Sequence, residues 1–194
     1  MKNIAMTVSL AFLLLTLGAC VGTGSWDRKP SSDSEGFPLN HHQILKHLRT
    51  ANETGKEAVK SGHPPFGAVL VAPDGETVLM KQGNVSLMDH AETVIARQAF
   101  VKYAPDYLWT CTLVTTAEPC AMCAGNVYWA NIGNVVYGVE EITVKELTGA
   151  DKKNPTMNLP CRTVFTAGQK PIRVVGPVPE LKDELLAPHR AYWK

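Results

Sequence analysis

Two short motifs carry side chains that can bind a metal. His90 and Glu92 are separated by one residue, and Cys120 and Cys123 form a Cys-x-x-Cys pair that directly follows Pro119. Each motif is predicted to open a helix, where the two sulfurs point the same way and the helix N-terminus favours thiolates. Two thiolates and one imidazole supply three ligands, whereas zinc prefers four, so one position remains for water. Such an open position indicates a catalytic site, because bound zinc lowers the pKa of water to about 7.

Glu92 has a different predicted role from the three metal ligands. Residues two apart on a helix do not share a face, so Glu92 need not bind the metal that His90 binds. Its carboxylate can instead sit beside the metal-bound water, accept a proton and pass it on. We therefore predict His90, Cys120 and Cys123 as zinc ligands and Glu92 as the catalytic proton carrier.

The cysteine pair by itself fits other chemistry. In an exported protein it is equally typical of a disulfide or of a redox dithiol, and a structural zinc site would need a fourth protein ligand. The remaining thiols of the folded part, Cys111 and Cys161, are candidates for a disulfide in an oxidising compartment. The two motifs in this order, each after a predicted strand, favour the catalytic zinc site.

The elements that must position these motifs alternate between helices and strands. A helix is predicted over 39–61 with Asn40 as its N-cap, followed by a hairpin of strands 68–71 and 77–85. Further helices are predicted over 91–103, 120–130, 161–167 and 180–193, the last broken or kinked near Pro188. Further strands are predicted over 113–116, 134–139 and 172–175, with a polar loop over 148–160. This order predicts an α/β fold, a three-layer α/β/α sandwich with a mixed sheet of about five strands.

The first 38 residues are predicted to lie outside the fold. Residues 1–20 combine Lys2 with an uncharged apolar run too short to span a bilayer, which is typical of a secretory signal. Residues 17–20 resemble the lipobox of bacterial lipoproteins, in which the cysteine, here Cys20, becomes the lipidated first residue. Residues 21–38 are predicted as a flexible linker and residues 39–194 as the single domain. We expect an exported protein anchored to a membrane. The alternatives are a simple cleaved signal or a cytoplasmic enzyme whose start is assigned too far upstream.

The charge balance argues against a nucleic-acid partner. The formal net charge is +1, and without the first twenty residues the chain is neutral. A neutral body lacks the electrostatic footprint of proteins that bind long polyanions. It favours a small, weakly charged substrate.

The sequence around both motifs resembles the cytidine-deaminase-like superfamily, in its nucleobase and tRNA-adenosine deaminase branch. The similar segments are 65–68, which resembles the first strand of that family, and 116–125, which resembles its metal-binding turn and helix with the H-x-E…P-C-x-x-C signature. Segment 126–132 resembles the guanine-deaminase-like form of that helix, and 154–155 and 159–162 resemble bacterial nucleoside deaminases. The resemblance covers about residues 40–194. It implies the sheet described above, a zinc cofactor and a homodimer.

The resemblance implies hydrolytic deamination of a nucleobase or nucleoside with release of ammonia. A guanine-like purine is favoured, although residues 140–151 lack the acidic recognition stretch expected of guanine deaminases, so cytosine or cytidine stays open. A tRNA substrate is disfavoured by the neutral body and the apparent export. The alternative is an exported Cys-x-x-Cys redox protein, or a ligand-binding lipoprotein on a degenerate deaminase fold.

The resemblance also implies two substrate contacts, Asn84 and Ala91. Asn84 ends the second strand, where family members place an asparagine facing the ring. Only five residues separate Asn84 from His90, so a short pocket rim is expected. Phe66 and Trp129 are candidates for stacking on a planar ring, and core packing is the equal alternative for both.

Overall fold

Five strands form one mixed sheet in the computed structural model, which describes residues 36–149, 151 and 154–193. In chain order the strands are β1 Gly67–Val71, β2 Val78–Gly83, β3 Thr112–Ala117, β4 Asn134–Val139 and β5 Arg173–Val175. Their order in the sheet is β2-β1-β3-β4-β5, with β1 antiparallel to both β2 and β3, and with β3, β4 and β5 parallel. The predicted α/β fold and hairpin are confirmed. The predicted signal peptide, Cys20 and nearly all of the linker lie outside the described residues.

Seven helices in the described part of the chain cover the two faces of the sheet. One face carries α1 His41–Lys60, α5 Glu141–Thr148 and α7 Lys182–Tyr192, the last preceded by a short 3-10 turn, Pro179–Leu181. The other face carries α2 Ala91–Lys102, α3 Pro105–Thr110, α4 Ala121–Trp129 and α6 Cys161–Thr166. None of these described helices combines the length and hydrophobicity that crossing a membrane requires.

The three central strands are buried along their whole length, because helices cover both faces. Successive side chains of a strand point to opposite faces. Leu70 and Leu113 therefore join the core beneath α2 and α4, whereas their neighbours Val69 and Val114 join the core beneath α1 and α7. Continuous apolar strands of this kind are typical of sheets buried on both faces.

The first helix lies unusually close to the sheet. Its N-terminus forms a capping box, in which Asn40 and Gln43 each accept the other's backbone N–H, so the predicted N-cap is confirmed. Further along α1, a Cβ on Gly55 would lie 2.7 Å from the carbonyl oxygen of Pro65. A Cβ on Gly67 would overlap the carbonyl oxygen of Ala51. Backbone therefore packs directly on backbone, and this contact holds the start of β1 in place.

Two helices were not predicted, and the last one, expected to be broken or kinked near Pro188, is not broken there. The missed helices are α3 and α5, which are short and bury few side chains. Helix α7 runs through Pro188, which has no N–H to donate to the carbonyl of Glu184. The Nδ2 group of Asn52 on α1 donates to that carbonyl instead, at 3.3 Å. The tertiary contact thus satisfies the acceptor that the proline leaves open.

Candidate active site

The predicted functional residues converge at one edge of the sheet. Because β1 is antiparallel to its neighbours, its first residue Gly67 pairs with Gly83 at the end of β2, and Ala68 pairs with Thr115 near the end of β3. The chain continues from β2 to the start of α2 and from β3 to the start of α4. The two motifs, at residues 90–92 and 119–123, therefore meet at this edge.

His90 and Cys120 occupy equivalent positions, each as the N-cap of its helix. Both have extended backbone conformations, and neither side chain makes the capping hydrogen bond that such a residue usually supplies. Their side chains are therefore available to each other. Cys123 lies one turn into α4 and is almost completely buried.

The donor atoms of His90, Cys120 and Cys123 have the spacing of a zinc site. All three lie within 4.8 Å of one another, and His90 Nδ1 is 3.7 Å from Cys120 Sγ and 3.5 Å from Cys123 Sγ. In a tetrahedral zinc complex, a nitrogen and a sulfur ligand stand about 3.5 Å apart. Within the described residues this is the one cluster of His, Cys and acidic side chains suited to a metal. Its donors fit zinc.

The charges within the cluster are strongly coupled. A hydrogen bond between Cys120 and Cys123, together with the nearby His90, lowers the pKa of Cys120 to about 4. The same hydrogen bond and burial raise the pKa of Cys123. The hydrogen bond with Cys120 also raises the pKa of His90, against the effect of burial. These shifts favour a negative charge on the Cys120 sulfur beside the His90 imidazole, and a divalent cation bound there would displace the remaining protons from its ligands.

Glu92 lies beside this cluster without being one of its three donors. The residue is 4% exposed, and its Oε2 is 3.5 Å from Cys123 Sγ. The Thr115 hydroxyl donates to Oε1 at 2.6 Å. Burial raises the pKa of Glu92, and the Thr115 hydrogen bond opposes that rise. The arrangement gives one oxygen a fixed orientation and leaves the other next to the metal ligands.

A cavity of about 270 Å³ is lined by His90, one member of the cluster. Phe66 and Asn84 line it, and the Phe66 ring stacks on the His90 imidazole with centroids 6.5 Å apart. Asn84 is 4% exposed, its Nδ2 donates to the Ser86 carbonyl at 3.2 Å, and its Oδ1 has no hydrogen-bond partner among the described residues. The complete lining consists of Pro64, Phe66, Asn84, Ser86, Leu87, His90, Asn154 and Tyr192.

Two aromatic or apolar candidates lie elsewhere. Ala91 is fully buried in the core beneath α2, and its side chain is not part of the cavity lining. As the first residue of α2 it has a backbone N–H without an intrahelical acceptor, so a substrate contact through that group stays a prediction. Trp129 is 75% exposed, and it lies outside both the cavity and the core.

Cys111 and Cys161 are both free thiols buried in the core, so the disulfide considered for them is not formed.

Several residues around the site were not predicted. Thr115 orients Glu92, and Asn154 lines the cavity from the segment between α5 and α6. Glu118 accepts the backbone N–H groups of both Glu141 and Cys161. Burial, followed by the charges of Cys120 and neighbouring carboxyl groups, raises the pKa of Glu141 to about 8. Two of these residues had a local signal in the sequence: Glu118 stands two residues before Cys120 in the motif, and Asn154 belongs to a segment that resembles bacterial nucleoside deaminases.

This combination of fold and donor set defines a zinc-binding deaminase domain. The family model of the cytidine and deoxycytidylate deaminase zinc-binding region matches residues 41–139. The chain belongs to this family. Its cytosine and guanine deaminase relatives identify it as a hydrolase that acts on C–N bonds in nucleobases.

Individual relatives act on different bases. A probable cytosine deaminase of Schizosaccharomyces pombe is 34% identical over 153 residues, covering 77% of this chain and 91% of the relative. A guanine deaminase of Bacillus subtilis is 37% identical over 112 residues, covering 56% of this chain and 70% of the relative. The solved structure of the protein NE0047 with 2,6-diaminopurine has the same fold, with a TM-score of 0.59, 22% identity, and coverage of 79% of this chain and 82% of that one.

Proposed function

We propose that this protein is a hydrolytic deaminase of a free nucleobase, with a guanine-like purine as its preferred substrate. The observation that carries the proposal is the buried Glu92 carboxyl group. It adjoins the cluster of His90, Cys120 and Cys123, and His90 of that cluster lines a cavity of about 270 Å³. A proton carrier, a metal site and room for a small ring thus occur together.

The residues divide the chemistry as follows. His90, Cys120 and Cys123 would hold zinc, which when bound supplies a water of lowered pKa as nucleophile. Glu92 takes a proton from this water as its oxygen bonds to the ring carbon that carries the amine, and it delivers that proton to the adjacent ring nitrogen. Glu92 then moves the second proton from the new hydroxyl to the amine. The C–N bond breaks, ammonia leaves and a carbonyl remains. Proton transfer of this kind contributes typically ~10²- to 10⁴-fold to the rate.

The cavity supports a small neutral ring as the substrate. Its volume, about 270 Å³, lies just below the ~300–1,000 Å³ range of sites that hold drug-sized molecules, which favours a small ligand. The unpaired Oδ1 of Asn84 requires a donor, and guanine offers an N–H beside its amine. The guanine deaminase relative supports the same choice. The relative named as a probable cytosine deaminase keeps cytosine as the second candidate.

The decisive experiment measures ammonia release and zinc content together. Purified protein is assayed with guanine, cytosine, cytidine and adenine, before and after removal of zinc by a chelator. We expect about one zinc per chain, release of ammonia from guanine, and loss of activity on chelation that added zinc restores. Metal-free protein with oxidised Cys120 and Cys123 would instead favour the redox alternative, for which the cluster geometry provides no support.

Replacing Glu92 tests its role separately from metal binding. We expect Glu92→Gln to retain zinc and to lose at least ~10²-fold in kcat, because the amide cannot carry a proton. Glu140→Gln is the matched control, since Glu140 is exposed and makes no side-chain cap. A Glu92→Gln enzyme that holds zinc and turns over normally would remove Glu92 from the mechanism.

Export, lipid anchoring and dimer formation are further proposals. Export and lipid anchoring rest on the sequence of residues 1–20. If Cys20 carries the lipid anchor, Cys20→Ala should release the protein from the membrane fraction. The homodimer rests on the family resemblance and on exposed apolar side chains of α2 and α4, where Phe100, Val101 and Trp129 are 58%, 87% and 75% exposed. Sedimentation equilibrium should then give twice the mass of one chain, and a monomer would refute it.

A further inference from the structure

We infer that Asn154 determines substrate specificity by accepting a hydrogen bond from a ring N–H of the base. This inference rests on the proposed function and adds a second residue of the pocket that recognises the base. Asn154 lies in the segment between α5 and α6, and Asn84 follows β2, yet both line the cavity that His90 borders.

The two asparagines are held in the same way. The Nδ2 group of Asn84 donates to the Ser86 carbonyl at 3.2 Å, and the Nδ2 group of Asn154 donates to the Thr156 hydroxyl at 2.7 Å. An amide whose nitrogen is held on one side presents its oxygen on the other. Each asparagine amide is therefore oriented by a neighbouring residue, which leaves its side-chain oxygen available as an acceptor.

The remaining polar groups of the lining are engaged elsewhere. The Ser86 hydroxyl donates to Asp89 Oδ2 at 3.1 Å and accepts two backbone N–H groups. The Tyr192 hydroxyl donates to the Gly62 carbonyl at 3.3 Å. Within the described lining there is no Lys, Arg, Asp or Glu side chain. The cavity thus combines two amide acceptors with apolar walls, and its complement is a neutral ring that carries N–H donors.

This pattern separates the nucleobases. Guanine carries an N–H on each of its two rings, whereas adenine and cytosine carry only one ring N–H each. Two oriented acceptors can both be satisfied by guanine, and one of them stays unpaired with the other bases. An acceptor that faces the bound base without a donor is unfavourable, so such a site rejects ligands that lack the matching donor. Asn84 accepts the guanine N–H beside the amine, and Asn154 accepts the N–H of the other, imidazole ring.

The test combines protein variants with methylated substrates. The kcat/KM of the zinc-loaded enzyme is measured with guanine and with its 1-methyl, 7-methyl and 9-methyl derivatives. We expect Asn154→Leu to lower kcat/KM for guanine by roughly 10- to 100-fold, mainly through KM. The 7-methyl and 9-methyl derivatives both lack the imidazole N–H that Asn154 accepts, so with these two the wild type has already lost the contact and wild type and variant should be equal. With the 1-methyl derivative, which keeps the imidazole N–H, the variant should show the same loss as with guanine.

Two further variants define the cause. Thr156→Val removes the hydroxyl that orients the amide, and a smaller loss with the same substrate pattern is expected. Asn158→Leu makes the same change as Asn154→Leu in the same segment, at an exposed residue outside this cavity, and should behave as wild type. A general disturbance of the segment would instead reduce activity on guanine and all its derivatives by one factor.

The possible failures are distinguishable. If wild type deaminates guanine and Asn154→Leu matches it, or loses the same factor with every derivative, the inference is refuted and the proposed function stands. If wild type deaminates cytosine but not guanine, the role of Asn154 in reading a purine is refuted. If zinc-loaded wild type neither deaminates any base nor binds guanine in equilibrium dialysis, the proposed function fails as well.

Discussion

Glu118 links the metal-binding motif to two helices, and its replacement tests how the fold supports the site. Its carboxyl group is 6% exposed and accepts the N–H of Glu141 at 3.2 Å and the N–H of Cys161 at 2.9 Å. These are the first residues of α5 and α6, and neither helix has a side-chain cap of its own. One side chain therefore serves the N-termini of two helices, two residues before Cys120.

The expected loss follows from these two hydrogen bonds. Glu118→Ala leaves two buried N–H groups without acceptors, and each costs about 1–3 kcal/mol, so the free energy of unfolding should fall by roughly 2–6 kcal/mol. A domain of this size is stable by about 5–15 kcal/mol, so the loss is large. Glu118→Gln keeps one acceptor oxygen, and we expect about half the effect.

Urea denaturation followed by far-UV circular dichroism measures this loss. Glu140→Ala is the control at the neighbouring exposed residue, where a change within about 0.5 kcal/mol is expected. The reasoning is refuted if Glu118→Ala is no less stable than the control, or if Glu118→Gln and Glu118→Ala are equally unstable.

Two more predictions concern the strand below the site and the last helix. Thr115→Val removes the hydroxyl that donates to Glu92 at 2.6 Å, and we expect kcat/KM to fall roughly 10- to 100-fold, since hydrogen bonds to charged groups are worth about 1.5–3 kcal/mol. Thr112→Val is the matched control, because the Thr112 hydroxyl on the same strand has no partner among the described residues, and equal losses for both variants would contradict this role. Burial lowers the pKa of His189 from 6.5 to about 4, so between these pH values the unfolded chain binds a proton that the folded chain does not. The stability from neutral His189 is therefore present above pH 6.5 and should fall by about 3 kcal/mol as the pH drops to 4. Urea midpoints of His189→Gln should lack this part of the pH dependence, those of His42→Gln at an exposed residue should retain it, and identical pH profiles for wild type and His189→Gln would contradict it.

The sequence by itself was sufficient for features that depend on neighbouring residues. The spacing of Cys120 and Cys123 at a helix start, the N-cap at Asn40 and the β1–β2 hairpin are all local patterns, and the structure has each of them. The order of helices and strands predicted the mixed five-stranded sheet, because parallel strands need crossovers that cover both faces.

Only the tertiary structure decided how distant segments combine. Helices α5 and α6 begin at the carboxyl group of Glu118, and α7 continues through Pro188 because Asn52 satisfies the free carbonyl. Asn154 reaches the cavity from a segment that the sequence presents as a polar loop. Each of these features depends on a hydrogen bond or packing contact between residues far apart in the chain. Local propensity contains no information about such contacts, so they follow only from the packing of the complete domain.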